Sequence, residues 1–416
     1  MITSEKALEI ILSQTEDFGV EIVDFKDSLG RILKEEIVAD RDFPPFNRAS
    51  MDGIAITVDP FNKGVRAFKI EGVQAAGSPQ LTLKDLNNCI EVMTGAMAPI
   101  NSEAVIPYEL VEITDGVAKV NTNNIKFFQN IHRKGLDRKK EDVLIQRNIV
   151  ISAAEIGVLA TVGKTKVQVA KNPKVMLIST GDELVEINQT PEDYQIRRSN
   201  IHTLVAILDR INIKADTIHI TDDKPLLKQK IETILNNYDV LLFSGAVSKG
   251  KFDFLPEVLD ELGVEKLFHK VRQRPGKPFW FGVTDPLIMN SRSEITNLKT
   301  REKDKKTTIF AFPGNPVSTF VSCMKYFYPW FQKSTGIDYQ NKNFAILAKD
   351  FNFKPDLTYF LQVKVQNKNG QLLAHPIAGH GSGDLANLVD NDAFIELPTG
   401  KQSFSKGEVF PLIEYR

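Results

Sequence analysis

Apolar and polar positions change rhythm several times along this 416-residue chain. The opening stretch MITSEKALEIILSQ spaces its apolar residues three and four apart behind a Thr/Ser cap. That spacing predicts an amphipathic helix over residues 3–14. A second short helix is predicted near residues 27–35. From about residue 42 to 135 the period shortens: GIAITV, RAFKIEGV, CIEVMTG, AVIPYELVEIT and VAKVN are β-like runs separated by Gly, Pro and Asn turns. EDVLIQRNIVISAAEIGVLATVG then returns to a strand followed by a helix. Residues 1–41 and 136–170 are therefore expected to form one discontinuous amino-terminal domain around an inserted β-rich domain, 42–135.

From Pro173 strands and helices alternate. KVMLIST, KADTIHI, DVLLFSG, VEKLFHKV, PFWFGV and TIFAF read as strands. SNIHTLVAILDRI, KPLLKQKIETILNN, FLPEVLDELG and the run from Pro316 read as helices. Repeated βα units imply a mostly parallel sheet with helices on both faces. Residues 171–335 are thus expected to be a three-layer, doubly wound βα domain. Between Thr284 and Thr308 lies a polar, mixed-charge stretch that reads as a solvated loop. From about residue 336 to 416 strand-like runs return (FAILAKDF, YFLQVKVQN, AFIELPTG), predicting a small C-terminal β-barrel. The expected fold class is α/β and multidomain.

Composition narrows the function. Apolar residues are 42% and charged residues 25% of the chain, ordinary for a globular protein, and the formal net charge is −1. That balance argues against a general nucleic-acid binder. No apolar run approaches the roughly 18 residues that a membrane span needs, and the amino terminus lacks the pattern of a signal peptide. The two cysteines, Cys89 and Cys323, imply no disulfide framework and a reducing, cytoplasmic setting.

The chemistry concentrates where strands end. In IFAFPGNPVSTFV an apolar strand stops at Pro-Gly-Asn-Pro and a helix begins. Pro316 suits the first helical position, Asn315 the N-cap, and Gly314 a tight turn, which together make a candidate anion site. LISTGDELV ends another strand at Ser179, Thr180 and Gly181 and then supplies Asp182 and Glu183. LLFSGAVSKGKFDF does so at Ser244 and Gly245 and continues through Ser248 and Asp253. KVRQRPGKPFWFG places Arg274 and Lys277 around Pro-Gly. In a doubly wound sheet such loops share one edge, where ligands bind. Cations, hydroxyls and N–H groups there suit phosphate or another oxyanion. Carboxylates beside phosphate suit Mg²⁺, and either Asp222 or Asp223 can join Asp253 as a ligand. Other motifs fail: GVLATVGKT has the wrong spacing and order for a P-loop, and the six histidines show no zinc spacing.

The ordered set FPPFNRASMDGIAI, MTGAMAP, STGDEL, SGAVSKGKFDF, RPGKPFWFG, FPGNPVS and GSGDLANL resembles the molybdopterin molybdenumtransferase family, which includes bacterial MoeA and the gephyrin E domain. The resemblance covers essentially the whole chain. It implies that adenylylated molybdopterin binds in the βα domain, that molybdate is inserted into its dithiolene with Mg²⁺ assisting, and that AMP leaves. It also implies a cytoplasmic homodimer that meets the molybdopterin adenylyltransferase and apo-molybdoenzymes, and neither nucleic acid nor membrane. By motif match, catalytic positions fall on Asp52, Asp137, Glu183, Lys270 and Lys277. Asp222 and Asp253 hold Mg²⁺. Thr94, Ser179, Thr180, Gly181, Ser244, Gly245 and Ser248 fall on substrate-binding positions. So do Arg274, Pro278, Gly314, Asn315, Ser318 and Ser382.

The chain departs from the family pattern at Ile54, Arg198, Ala246, Arg274 and Gln362, where Tyr, a small or acidic residue, Gly, Lys and Arg are usual. Two other classes compete with the transferase. One is a molybdopterin adenylyltransferase-like enzyme or nucleotide pyrophosphatase built on the same βα domain. The other is a non-catalytic molybdopterin-binding scaffold. The two β-rich regions argue against the first. The retained Asp52, Glu183, Asp253 and Lys277 argue against the second, while Gln362 and Ala246 favour it.

Overall fold

The computed structural model describes residues 1–247, 254–284, 306–339, 343–377 and 379–416. They divide into two compact units, one of residues 1–34, 148–151 and 167–416, the other of residues 35–147 and 152–166.

The larger unit is organised by a six-stranded sheet of β1 (Val175–Thr180), β2 (Ala215–Ile220), β3 (Val240–Ser244), β4 (Val264–His269), β5 (Trp280–Thr284) and β6 (Thr308–Phe312). The spatial order is β2-β1-β3-β6-β5-β4. The first four strands in that order run parallel, whereas β5 and β4 are antiparallel to their neighbours. The four inner strands, β1, β3, β6 and β5, are nearly continuous apolar runs because both faces are covered, whereas the edge strands β2 and β4 carry exposed polar residues. Val175 and Leu177 point into a core shared with helix Ser199–Asp209 and with Phe327 and Trp330. Met176 and Ile178 point into the opposite core, under helices Lys224–Leu235 and Leu255–Glu261.

Helix Ser4–Leu12, capped by Thr3, adds Ala7 and Ile11 to the first of these cores. The amino-terminal helix therefore packs on the βα layer. The second expected helix, near residues 27–35, is not formed. Its place holds a 3₁₀ turn, Phe25–Asp27, after which Leu33 pairs with Val169 as extended chain.

Five strands of the same unit, Phe344–Leu347, Thr358–Lys368, Gln371–Pro376, Ala393–Leu397 and Val409–Glu414, close into a barrel. Closure leaves no free edge among them. Leu347, Val363, Ala374, Ile395 and Leu412 fill the interior. The short strand Gln273–Arg274 leaves the βα layer and adds in parallel to Thr358–Tyr359. That pairing brings the RPGK loop to the barrel.

The smaller unit holds a six-stranded sheet of Ala104–Pro107, Gly53–Ile56, Cys89–Val92, Ala67–Gln74, Val117–Val120 and Val111–Thr114, in that order. Gly53 of MDGIA has a plain structural reason. A Cβ there would lie 1.9 Å from the Ile106 carbonyl oxygen, so only glycine lets the two strands meet. Helix Ala153–Thr161 begins with a capping box between Ser152 and Glu155.

Candidate active site

The carboxyl ends of β1, β2, β3 and β6 open onto a cleft of about 670 Å³. Ser179, Thr180 and Gly181 line it from the end of β1, and Glu183 follows from the same loop. Asp222 comes from the end of β2, Ser244 and Gly245 from β3, and Gly314 and Asn315 from β6. The two candidate aspartates separate here. Asp223 caps helix Lys224–Leu235, its carboxylate accepting from the Leu226 N–H at 2.7 Å. Asp222 lines the cleft, and its own N–H donates to Asp182 Oδ1 at 3.1 Å.

A second cavity, of about 740 Å³, lies between the RPGK loop and the barrel. Arg274, Lys277, Ser318 and Ser382 line it, together with Lys349 and His380. Its described lining contains no carboxylate. The cavity and the cleft share Pro278, Pro313 and Asn315 as a common wall. Asn315 occupies the N-cap position of helix Pro316–Ser322, but its side chain makes no capping bond. It turns away and donates from Nδ2 to Ser382 Oγ at 2.8 Å. The Val317 N–H reaches the Ser382 carbonyl at 3.1 Å, so the GSGD loop is fixed on the start of this helix.

Other expected residues lie elsewhere. Lys270, at φ +76°, lines neither cavity. Asp52, Thr94 and Asp137 belong to the smaller unit. There Thr94 donates its N–H (2.6 Å) and its hydroxyl (2.9 Å) to Asp52 Oδ1, which holds that carboxyl below its usual range. Asp137 Oδ1 meets His132 Nε2 at 2.8 Å. Ser248 and Asp253 lie outside the described residues, as does most of the polar stretch from Thr284 to Thr308.

Sequence reading missed the residue that ties the cleft together. Asn200 donates from Nδ2 to the Gly314 carbonyl at 2.6 Å and to Ser244 Oγ at 2.9 Å. One amide thereby clamps the ends of β3 and β6. Its only sequence signal was its place behind Ser199 at a helix start. Lys349 was likewise hidden, inside a strand-like run. Arg198 lines the cleft; its guanidinium donates to Glu186, and its buried Nε has no partner. His219 Nδ1 lies 3.0 Å from Ser179 Oγ. Burial, and then the Arg198 charge, push its pKa below the usual imidazole value, so His219 is neutral at neutral pH. Gln362 lines the cationic cavity, and its buried Oε1 also lacks a partner.

Among the described residues no helix is long and apolar enough to cross a membrane, and no group of three or more His, Cys, Asp or Glu side chains is arranged to hold a metal. The chain's relatives extend over its whole length. Residues 2–163 match the family described as MoeA N-terminal region (domain I and II), residues 176–333 the probable molybdopterin binding domain, and residues 345–415 the MoeA C-terminal region (domain IV). A molybdopterin molybdenumtransferase of Synechocystis is 40% identical over 414 residues, which is 99% of each chain. One of Bacillus subtilis is 28% identical over 95% of this chain and 90% of its own. A crystal structure of a Pyrococcus horikoshii MoeA protein superposes with a TM-score of 0.79 at 25% identity, covering 100% of both chains. With three successive regions matched and a full-length relative at 40% identity, the chain belongs to the molybdopterin molybdenumtransferase (MoeA) family.

Proposed function

We propose that the chain inserts molybdenum into molybdopterin, taking the pterin in adenylylated form and releasing AMP. One observation carries this reading: a cleft lined by hydroxyls and carboxylates adjoins, across Pro278, Pro313 and Asn315, a cavity whose described charged residues are all basic. Adenylylated molybdopterin occupies the strand-end cleft. Molybdate, an oxyanion, occupies the cavity beside it, where Arg274, Lys277, Ser318 and Ser382 supply donors. Transfer takes place at the shared wall of Pro278, Pro313 and Asn315.

Breaking the link to AMP builds negative charge on phosphate oxygens. Fixed donors at the strand ends stabilise that charge without reorganising. Asn200 keeps two of the strand-end loops in register. The lining also fits a Mg²⁺ ion, which takes one or two carboxylates together with phosphate oxygens and water. Asp222 would hold it, with Asp253 as the partner expected from sequence; Glu183 lines the same cleft as Asp222. When bound, Mg²⁺ would neutralise phosphate charge. Asp52 and Asp137 keep their proposed roles as catalytic residues of the smaller unit, and Lys270 its own beside the RPGK loop. The same reading has the chain working in the cytoplasm as a homodimer that exchanges substrate and product with the adenylyltransferase and apo-molybdoenzymes. The partition into four domains also stands as part of it.

The test is AMP release from adenylylated molybdopterin with Mg²⁺ and molybdate, coupled to reconstitution of a molybdenum-free apoenzyme. Molybdate-dependent release that Asp253→Ala abolishes supports the transferase. Binding of the adenylylated pterin without release, at any molybdate concentration, would favour the scaffold instead.

A further inference from the structure

A chain of buried polar groups ends on the cationic cavity. At its far end Lys325 Nζ and Glu396 Oε2 pair at 2.6 Å, each residue under 10% exposed. Glu396 stands on barrel strand Ala393–Leu397, and Lys325 on the π-turn Cys323–Phe327 that follows helix Pro316–Ser322. Ser4 Oγ donates to Glu396 Oε1 at 3.3 Å and lies 3.2 Å from the Tyr326 hydroxyl. Tyr326 OH donates to Gln273 Oε1. Gln273, fully buried, then donates from Nε2 to the Pro275 carbonyl at 3.2 Å and the Gly276 carbonyl at 3.4 Å.

The donors and acceptors fix each orientation. An amide oxygen can only accept, so Tyr326 directs its single hydrogen to Gln273, and its oxygen is left to accept from Ser4, whose hydrogen is shared between Tyr326 and Glu396 Oε1. Gln273 must then turn its NH₂ to the two carbonyls of the turn. Burial pushes the Tyr326 pKa far above its usual value, which keeps the hydroxyl a donor at all relevant pH. The turn closes tightly on this amide. Gly276 has φ +94°, and a Cβ there would fall 2.6 Å from Gln273 Nε2 and 2.9 Å from Ser322 Oγ.

Arg274 and Lys277 flank the two carbonyls that Gln273 holds, and both line the cavity. We propose that Gln273 and Tyr326 are positioning residues for oxyanion binding, a buried relay that ties the aim of Arg274 and Lys277 to the seating of the C-terminal barrel through Ser4 and Glu396. Tyr326 does not line the cavity; Gln273 borders it, but its amide is spent on Tyr326 and on the two carbonyls of the turn, so both act through the RPGK turn. The effect on molybdate rests on the functional reading above, whereas the coupling between relay and turn does not.

The test uses full-length Tyr326→Phe, which keeps the ring, with Gln273→Leu and the double variant. Tyr326→Phe is expected to raise the KM for molybdate about tenfold, the scale of one lost buried hydrogen bond, and Gln273→Leu, which also loses both bonds to the turn, by more. The double variant should exceed Gln273→Leu by little, because the Tyr326 bond is already lost in it. The KM for adenylylated molybdopterin should stay unchanged. Amide hydrogen exchange at Val271, whose N–H donates to the Lys277 carbonyl across the turn, should quicken in Tyr326→Phe without a matching change across the barrel strands. Unchanged exchange at the turn overturns the relay, whatever the enzyme's substrate proves to be. Equal rises in both KM values would also overturn it, since they indicate general loosening. A Lys277→Ala control that leaves the molybdate KM at its wild-type value contradicts the oxyanion assignment instead.

Discussion

The two halves of the site are built from different chemistry. The strand-end cleft mixes signs: Glu183 and Asp222 stand with Arg197 and Arg198, and the remaining described polar lining is Ser, Thr and Asn. The cavity against the barrel carries Arg274, Lys277, Lys349 and His380, with no described carboxylate. A mixed lining suits a ligand that brings phosphate and a divalent cation together. A lining whose described charged residues are all basic suits a bare oxyanion that arrives without one, because any carboxylate would repel it. The division of labour follows from topology. Parallel strands present their carboxyl ends on one side, whereas the RPGK loop brings Arg274 and Lys277, and the barrel region Lys349 and His380, from another direction.

That contrast can be broken by substitution. The largest effect is expected at the cavity. Lys277→Ala should raise the KM for molybdate by about a hundredfold or remove turnover, the scale of a lost charged donor in a preorganised site. AMP binding should be retained. Next comes Asp222→Ala, which should raise the Mg²⁺ concentration needed for half-maximal AMP release while leaving molybdate binding in place, as read from Mg²⁺ titrations of the rate. If molybdate affinity falls as far as the Mg²⁺ response, the two halves are not separate. Asn200→Ala should act on the cleft alone. Loss of its two short bonds is expected to cost roughly 1–3 kcal/mol of stability by denaturant unfolding and to lower kcat/KM for the adenylylated pterin.

The smallest effect concerns pH. His219 has a folded-state pKa below its unfolded value, so in the window between them the unfolded chain binds more protons. Its contribution to stability is therefore complete above the unfolded value, near 6.5, and is lost as pH falls through that window. His219→Gln should flatten this part of the acid limb of the stability curve, measured by urea midpoints between about pH 7 and 5. A limb as steep as in the wild type would mean that another group, such as His269, whose pKa burial likewise lowers, dominates it.

The sequence read well where one rhythm governed a long segment. The four inner strands of the sheet were plain because burial on both faces demands apolar runs, and the strand-end motifs followed them. The short helix predicted near residues 27–35 failed because tertiary pairing of Leu33 with Val169 outweighed local propensity. The amino-terminal helix was recognised, but an apolar stripe does not say which layer it covers. Ala7 and Ile11 prove to face Trp330 and Phe327. Asn315 had the right residue type for an N-cap, yet its amide is oriented to donate from Nδ2 to Ser382, and its Oδ1 accepts no helix N–H. Asn200, Lys349 and the Gln273–Tyr326 relay were illegible for one reason: each works through partners distant in sequence, and single polar residues in strands or helix starts carry no periodic signal.

The central claim, that two chemically distinct compartments divide phosphate from oxyanion, is tested most directly by equilibrium binding without turnover. Titrations of molybdate alone, and of AMP with Mg²⁺, into wild type, Lys277→Ala and Asp222→Ala give six isotherms. The account predicts a crossover: Lys277→Ala loses molybdate and keeps AMP, and Asp222→Ala keeps molybdate and weakens Mg²⁺-dependent AMP binding. Parallel loss of both ligands in either variant, or molybdate binding indifferent to Lys277, would contradict it.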